Sequence, residues 1–241
     1  MNNLTSNPRV LGFSLVFAPW LLVAGLLWAR WTLPADRFRQ VFMGEQGPVE
    51  LGTVVLLVIA VVAGIQVIRR RKTLPAAWLR WWTVALVVGC VYFAGEEISW
   101  GQHLFGWDTP APLAGLNDQG ETNLHNMSSW LDQKPRLGLE LWVVVGTVIA
   151  LLRWRRKEHP QPDNAWHWFW PWPLAASTGL CVALVRMPER LEPLLGPPQN
   201  PFDIRLAEVQ ELLLGLYLLL YLAALLVRVK RVEVNRSPDQ R

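Results

Sequence analysis

The chain is poor in the residues from which small secreted modules and histidine-rich metal proteins are built. It has two cysteines, four histidines and 17% charged residues among 241 positions. Cys90 and Cys181 both lie inside apolar runs, where they are expected to be small packing residues rather than a disulfide framework. No internal repeat, low-complexity segment or glycine-rich phosphate loop is present. These absences exclude a disulfide-stabilised module, a repeat array and a P-loop domain.

Apolar residues are abundant and gathered into long runs. They make up 52% of the chain, which is typical of multi-pass membrane proteins. Most of the runs reach the roughly 17–25 residues that cross a hydrocarbon core of ~30 Å. The fourth run is the shortest and relies on flanking Leu139 and Trp154. The predicted spans are 10–31, 51–68, 81–100, 137–152, 168–187 and 206–227.

The sequence therefore predicts an all-α protein with one six-span domain at 1–231 and a flexible tail at 232–241. The connections are too short for a separate soluble domain, and the longest of them is 101–136. The first run is expected to be retained as a helix. Its apolar stretch is too long for a signal peptide, and no small-residue cleavage site follows it.

Basic residues set the predicted orientation. Most of the 23 lysines and arginines lie in the N-terminus, 69–80, 153–166 and the C-terminal tail. The positive-inside rule then places both termini in the cytoplasm of a bacterial inner membrane and 101–136 outside it. Such clusters anchor to anionic headgroups, so membrane lipids are expected partners and nucleic acid is not. No feature indicates a protein partner or an oligomeric state.

Aromatic residues mark the predicted membrane boundaries. The 15 tryptophans include dense groups at the entries to the third and fifth spans. An interfacial belt accounts for them. His159 and His167 lie in the connector before the fifth span and are expected at the same interface.

Two adjacent carboxylates, Glu96 and Glu97, end the third apolar run. An ionisable residue at the edge of a span is costly without partners, so it indicates a functional site. Acids at a helix N-terminus gain typically about 0.3–1 kcal/mol from the macrodipole, which explains Glu50 and Glu208 individually. The pair lies at the opposite end of its helix, where the dipole opposes it. It is therefore the strongest candidate site in the chain.

A histidine follows the pair. If the third helix continues to residue 103, Glu96, Ser99, Trp100 and His103 fall on one helical face. Gly101 weakens the helix, so His103 alternatively lies on the first turn of the loop. In both cases a carboxylate and an imidazole approach each other at the outer boundary.

The loop 101–136 carries its own apolar residues, including Phe105 and Trp107, which a solvated linker would not need. It is expected to fold against the helix ends. This fold would bring its polar residues close to the carboxylate pair: Glu121, Asn123, His125 and Asn126.

The loop and the helix end together carry a specific pattern. It consists of the segment 96–102, Glu-Glu-Ile-Ser-Trp-Gly-Gln, followed by Asn117, Gln119, Glu121 and the segment 123–126, Asn-Leu-His-Asn. This pattern resembles a group of bacterial polytopic membrane proteins. The resemblance implies a shared site and attaches no particular activity to it.

A second resemblance is weaker. Ser99-x-x-x-His103 is similar to one element of alkaline ceramidase-like membrane hydrolases, which use a histidine-bound zinc. The chain departs from that family because it has no H-x-x-x-H pair and six predicted spans rather than seven.

The first functional hypothesis is a metal-assisted hydrolase or transferase acting on a lipid-type substrate at the outer leaflet. Zinc accepts histidine and carboxylate ligands, and in catalytic sites it binds a water whose pKa is about 7. The second carboxylate would serve as general base. Calcium or magnesium would suit the carboxylate and amide oxygens equally well.

This hypothesis assigns roles to thirteen residues. The predicted catalytic residues are Glu96, Glu97, Ser99, Asn123 and Asn126; the metal ligands are His103, His125 and Glu121; the supporting ion pairs involve Glu50, Arg190, Arg205, Glu208 and Glu211. A Ser–His–acid triad on a single helix would be geometrically awkward, which disfavours a serine hydrolase.

Two other interpretations stay open. Paired carboxylates also carry protons or cations, although the inner halves of the spans hold few ionisable groups and no carrier-like repeat is present. Alternatively, Glu96 and Glu97 pair with Arg186, Arg190 or Arg205 in an ion-pair network that holds the helices together. The protein would then be a scaffold or a partner-binding component.

Overall fold

The computed structural model describes residues 8–44, 47–109, 129–158, 161–196 and 204–236, and these residues form helices and connections without any strand. The short 3-10 turns aside, the helices are α1 (Pro8–Thr32), α2 (Ala35–Phe42), α3 (Pro48–Arg69), α4 (Ala77–Glu97), α5 (Gln102–Phe105), α6 (Ser129–Arg155), α7 (Ala165–Phe169), α8 (Ala176–Val185), α9 (Met187–Leu195) and α10 (Leu206–Arg236).

Six segments of the described chain are long and apolar enough to cross a membrane. They are Leu15–Thr32, Pro48–Arg69, Ala77–Glu97, Pro135–Arg155, Ala165–Val185 and Leu206–Asn235. Each overlaps one predicted span, so the all-helical, multi-pass architecture is confirmed. Large apolar side chains such as Leu21, Trp28 and Val88 are exposed on the outside of the bundle. Helices that are apolar on all sides are typical of spans surrounded by lipid.

Helix α10 forms the centre of the bundle. It packs against α3 and α8, α3 packs against α4, α6 packs against α8, and α1 lies outside α8. Leu213, Tyr217 and Leu222 of α10 are fully buried in the resulting core. Helix α10 is therefore the central packing element of the described helices.

The fifth span is broken rather than continuous, in contrast to the prediction of a single helix over 168–187. Helix α7 ends at Phe169 and α8 begins at Ala176, with Pro171 and Pro173 between them. Proline removes a backbone donor and clashes with the preceding turn. The Tyr221 hydroxyl of α10 donates to the carbonyl oxygens of Trp168 and Phe169, at 3.1 and 2.9 Å. Backbone acceptors left over by the break are thus satisfied inside the protein.

The two ends of the bundle differ in charge. At the acidic end, α4 ends and α3 and α10 begin, with Glu50, Glu97, Glu208 and Glu211 on these helix termini. At the basic end, α3 and α6 end in the arginine-rich segments 69–72 and 153–157. The amphipathic helix α2 lies outside the six predicted spans, between α1 and α3, and buries Phe38.

Candidate functional site at the acidic end

The chain turns sharply after Glu97, where α4 ends. Three consecutive residues have left-handed backbone angles: Ser99 with φ 45°, Trp100 with φ 54° and Gly101 with φ 89°. Two of them are not glycine, and each such position costs on the order of 1 kcal/mol or more. The expectation that the third helix continues to residue 103 is therefore wrong. Helix α5 is a separate turn, and His103 does not share a helical face with Glu96.

A tryptophan holds this turn against α4. The Trp100 indole Nε1 donates to Glu96 Oε1 at 2.6 Å. Its ring lies on Gly95, where an added Cβ would be 2.9 Å from the ring atoms. The ring of Tyr92 approaches edge-on, with 6.3 Å between centroids. Glu96 is 6% exposed, and one of its carboxylate oxygens is committed to fixing the turn.

The beginning of the loop is folded as well. Phe105 and Trp107 stack in parallel with 5.7 Å between centroids. Both rings lie within 3.3 Å of a Cβ added at Gly101, so the turn and the stacked pair are in contact. Gln102 Nε2 donates to the Thr109 hydroxyl at 2.9 Å. The rings are exposed, as aromatic residues at a membrane boundary are.

Glu97 points away from this turn, because successive helical residues are about 100° apart. It is half-buried and interacts electrostatically with Glu50 of α3, Glu208 and Glu211 of α10, and Arg136 of α6. Four helices thus bring charged side chains together at one point. Among the residues that the structure describes, none forms a hydrogen bond or an ion pair with Glu97.

Arg136 is the main positive charge of this cluster. Its guanidinium donates to Glu211 Oε1 at 2.5 Å, to Gln210 Oε1 at 2.9 Å and to the Ala207 carbonyl at 3.2 Å. On its own helix it reaches Glu140 Oε1 at 3.3 Å. These contacts join α6 to the first turns of α10.

Gln210 extends the network to a third helix. Its side chain is fully buried, and Nε2 donates to the carbonyl oxygen of Val182 in α8 at 3.1 Å. Both ends of the amide are therefore paired. This satisfies the requirement that buried polar groups find partners.

The arginines that the ion-pair interpretation assigned to Glu96 and Glu97 bind other carboxylates. Arg190 pairs with Glu140, Arg205 with Glu208 and Arg186 with Glu189. The last two pairs lie three residues apart along the chain, where side chains meet without any tertiary requirement. Arg205 also donates to the Met43 carbonyl at 3.2 Å.

The structure places the predicted residues in three groups. Glu50, Glu97, Glu208 and Glu211 come together, and Arg205 and Arg190 lie in the ion pairs beside them. Glu96 and Ser99 are buried in the turn. The remaining residues lie outside the described part: Glu121, Asn123, His125 and Asn126, together with the side chain of His103.

Arg136 is the main residue of the cluster that the sequence does not predict. Arg136 directly precedes the fourth predicted span and lies four residues before Glu140. This spacing predicts a pair on one helix face. That spacing does not reveal the contacts with α10.

The described residues alone do not form a metal centre. Within them, no group of three or more histidine, cysteine, aspartate or glutamate side chains is placed to hold an ion. The predicted ligands Glu121, His125 and the imidazole of His103 lie outside this part of the chain. A metal site therefore stays a prediction.

No protein-family model, curated protein or solved structure matches the chain. Its function has to follow from the residues themselves.

Proposed function

We propose that the protein is a membrane hydrolase or transferase whose site at the acidic end acts on the polar part of a lipid-type substrate. In this proposal both termini lie in the bacterial cytoplasm and the acidic end faces outward. The observation that carries the proposal is the environment of Glu97. It lies among other carboxylates, and none of the described arginines is ion-paired with it.

The neighbouring acids have structural explanations. Glu140, Glu208 and Glu211 are each ion-paired with an arginine. The latter two also lie in the first turns of α10, where the helix dipole favours a negative charge. Glu97 has neither advantage, because it ends a helix and faces other acids. A residue whose charge opposes local stability is a candidate for function.

The turn after α4 supports the same conclusion. Backbone strain in folded proteins concentrates at functional sites, where the surrounding contacts hold it. Here the contact between Trp100 and Glu96 holds the strained residues. Because adjacent helical residues point in different directions, fixing Glu96 in the turn directs Glu97 into the cluster.

The chemistry that suits Glu97 is proton transfer. A carboxylate in a partly buried site can take a proton from water or from a substrate hydroxyl as the bond is attacked. Arg136 is a fixed counter-charge rather than an oxyanion donor, because its nitrogens are already engaged by Glu140, Glu211 and α10. In the metal-assisted form, His103, Glu121 and His125 would hold a divalent ion such as zinc that activates water. Asn123 and Asn126 would then donate to the developing anion.

The test compares Glu97→Gln with Glu140→Gln in detergent and in reconstituted vesicles. If Glu97 is catalytic, Glu97→Gln keeps the thermal stability of the wild type, because no hydrogen bond is lost. Turnover of a panel of ester-linked and phosphate-linked lipids should fall by about 100-fold or more. Glu140→Gln should instead lower stability. Equal destabilisation by the two variants would contradict the proposal.

A structural role is the second candidate, and the network around Arg136 favours it. This arginine joins α6 to α10 through two side chains and one carbonyl of α10, and it also contacts Glu140 on its own helix. If the cluster serves only to hold the helices, no lipid is turned over, and Glu97→Gln lowers the thermal stability as Glu140→Gln does. Proton or cation flux that Glu97→Gln abolishes would favour the carrier alternative.

A further inference from the structure

The basic end contains an arginine without a carboxylate partner. Arg228 lies half-buried in α10, and Nη1 donates to the carbonyl oxygen of His167 at 2.6 Å. Its Cζ lies 5.2 Å from the centre of the Trp172 ring. Among the described residues, no aspartate or glutamate forms an ion pair with Arg228. The carbonyl and the ring orient the guanidinium without neutralising its charge.

A second arginine near it is incompletely paired. Arg153 of α6 has a side chain that is 13% exposed, and its Nη1 is buried without a hydrogen-bond partner among the described residues. Nη2 reaches the Trp166 carbonyl at 3.4 Å. The carboxylate of Glu158 lies 3.7 Å from Arg153 Nε and also 3.7 Å from Arg156 Nη1. One partly exposed acid is thus shared between two arginines at ion-pair distances too long for a good hydrogen bond.

The two arginines belong to one site. Arg153 and Arg228 interact electrostatically with each other, and both interact with His167. Trp172, which lies in the helix break between Pro171 and Pro173, places its ring against the guanidinium of Arg228. Of these two like charges near the end of the apolar segments, only Arg153 has a described carboxylate beside it, and that carboxylate is shared with Arg156.

We infer that Arg153 and Arg228 bind a phosphate group at the basic end of the bundle. A buried charge requires a partner, and an anion would neutralise both arginines. The geometry of a guanidinium group matches that of phosphate oxygens. Nη1 of Arg153 is a donor that binds no acceptor among the described residues. The phosphate belongs to an anionic lipid headgroup or to a phosphate-bearing solute. The tryptophans at this level, Trp166 and Trp172, are residues typical of the headgroup region.

The inference is independent of the chemistry proposed for the acidic end. Its test uses the full chain, purified in detergent and depleted of lipid. Phosphatidylglycerol, phosphatidylcholine and inorganic phosphate are added separately, and thermal stability and native mass spectra are recorded. Phosphatidylglycerol is expected to bind and stabilise the wild type more than phosphatidylcholine. Stabilisation by inorganic phosphate alone would identify a soluble ligand as the source.

Two variants locate the site. Arg153→Gln should weaken phosphatidylglycerol binding by about tenfold, the factor expected for losing one charge-assisted hydrogen bond. It removes no hydrogen bond shorter than the 3.4 Å contact with Trp166, so folding is expected to be preserved. Arg155→Gln is the matched control, because this exposed arginine lies on the same helix end. Arg228→Gln tests the second arginine of the site and should also weaken phosphatidylglycerol binding.

Three results would overturn the inference. The first is equal loss of binding in Arg155→Gln and Arg153→Gln, which would show attraction by net charge alone. The second is the absence of any difference between the anionic and zwitterionic lipids together with no effect of phosphate. The third is unchanged binding in both Arg153→Gln and Arg228→Gln.

Discussion

Arg136 Nη1 lies 2.5 Å from Glu211 Oε1. This ion pair joins the fourth and sixth candidate membrane segments where both begin. Both side chains are only one-fifth exposed. The pair is reinforced by Gln210 and the Ala207 carbonyl, so it is a network rather than a single contact. Removing Arg136 takes a positively charged partner from Glu211 and from Glu140.

Arg136→Gln is therefore expected to lower the free energy of unfolding by about 3 kcal/mol, as in other buried ion pairs that lose one partner. Denaturant unfolding in mixed micelles measures this change. The double variant with Glu211→Gln should recover part of the loss, because no unpaired carboxylate then remains. Arg156→Gln is the control, since this side chain is 71% exposed and its removal should change stability by less than about 0.5 kcal/mol. Strict additivity of the first two variants would contradict the network.

The turn after α4 can be tested through two glycines of the same helix. A methyl group at Gly95 would lie 2.9 Å from the Trp100 ring, whereas at Gly89 it would meet nothing within 4 Å. Gly95→Ala should displace Trp100 from Glu96 and destabilise the protein by about 1–3 kcal/mol. Gly89→Ala should be neutral or stabilising, because alanine is the better helix former. Thermal unfolding compares the two directly, and equal stabilities would show that the Trp100 contact is dispensable.

The hydroxyl of Tyr221 is expected to be essential to the broken fifth span. It accepts from Trp82 Nε1 at 3.1 Å and donates to the carbonyls of Trp168 and Phe169. Tyr221→Phe leaves these groups buried without partners, at a loss of about 1–3 kcal/mol. The equally buried Tyr217 is the control. Its hydroxyl meets only the side chain of Thr147 among the described residues, and the Thr147 hydroxyl itself donates to the Val143 carbonyl at 2.8 Å. Tyr217→Phe should therefore destabilise the protein less than Tyr221→Phe does. A larger loss in Tyr217→Phe than in Tyr221→Phe would contradict this assignment.

The metal-assisted form of the proposed enzyme has its own measurement. Elemental analysis of the purified protein should find close to one divalent transition metal per chain. The double variant His103→Ala/His125→Ala should lose it while keeping its helical circular dichroism spectrum. Replacement of His159 and His167 by alanine is the control for non-specific binding by histidine. Metal retained in the first variant would exclude these ligands, while the proton-transfer role of Glu97 would still be open to the lipid assay.

The membrane architecture could be predicted from the sequence because a span has to be apolar over its whole length. Local chemistry was harder to predict. Pro171 and Pro173 are helix breakers, but nothing in the sequence around them shows that the hydroxyl of Tyr221, some 50 positions later, donates to the carbonyls at the break. Glu97 could be selected as a candidate because its position opposes the helix dipole. The turn at Ser99 and Trp100 could not be predicted, since neither residue prefers a left-handed backbone.

The contacts of Arg136 could likewise be predicted only in part from the sequence. Its spacing to Glu140 predicts a local pair, and the structure contains that pair. The contacts with α10 depend on how two helices distant in sequence are placed side by side. Sequence periodicity indicates which face of a helix is apolar and leaves its neighbour undetermined.

The two adjacent glutamates fix the length and the rotation of α4. Glu96 has to meet Trp100 while Glu97 has to enter the cluster, and the Trp82 indole anchors the same helix to Tyr221 near its other end. Inserting one residue between positions 83 and 94 would turn everything beyond it by about 100° and advance it by about 1.5 Å. Glu96 would then take the place of Glu97, and the turn that Trp100 and Glu96 hold together would be rotated away from its present neighbours. The number of residues in this helix is thus fixed by the contacts at its two ends as well as by the length that a membrane span requires.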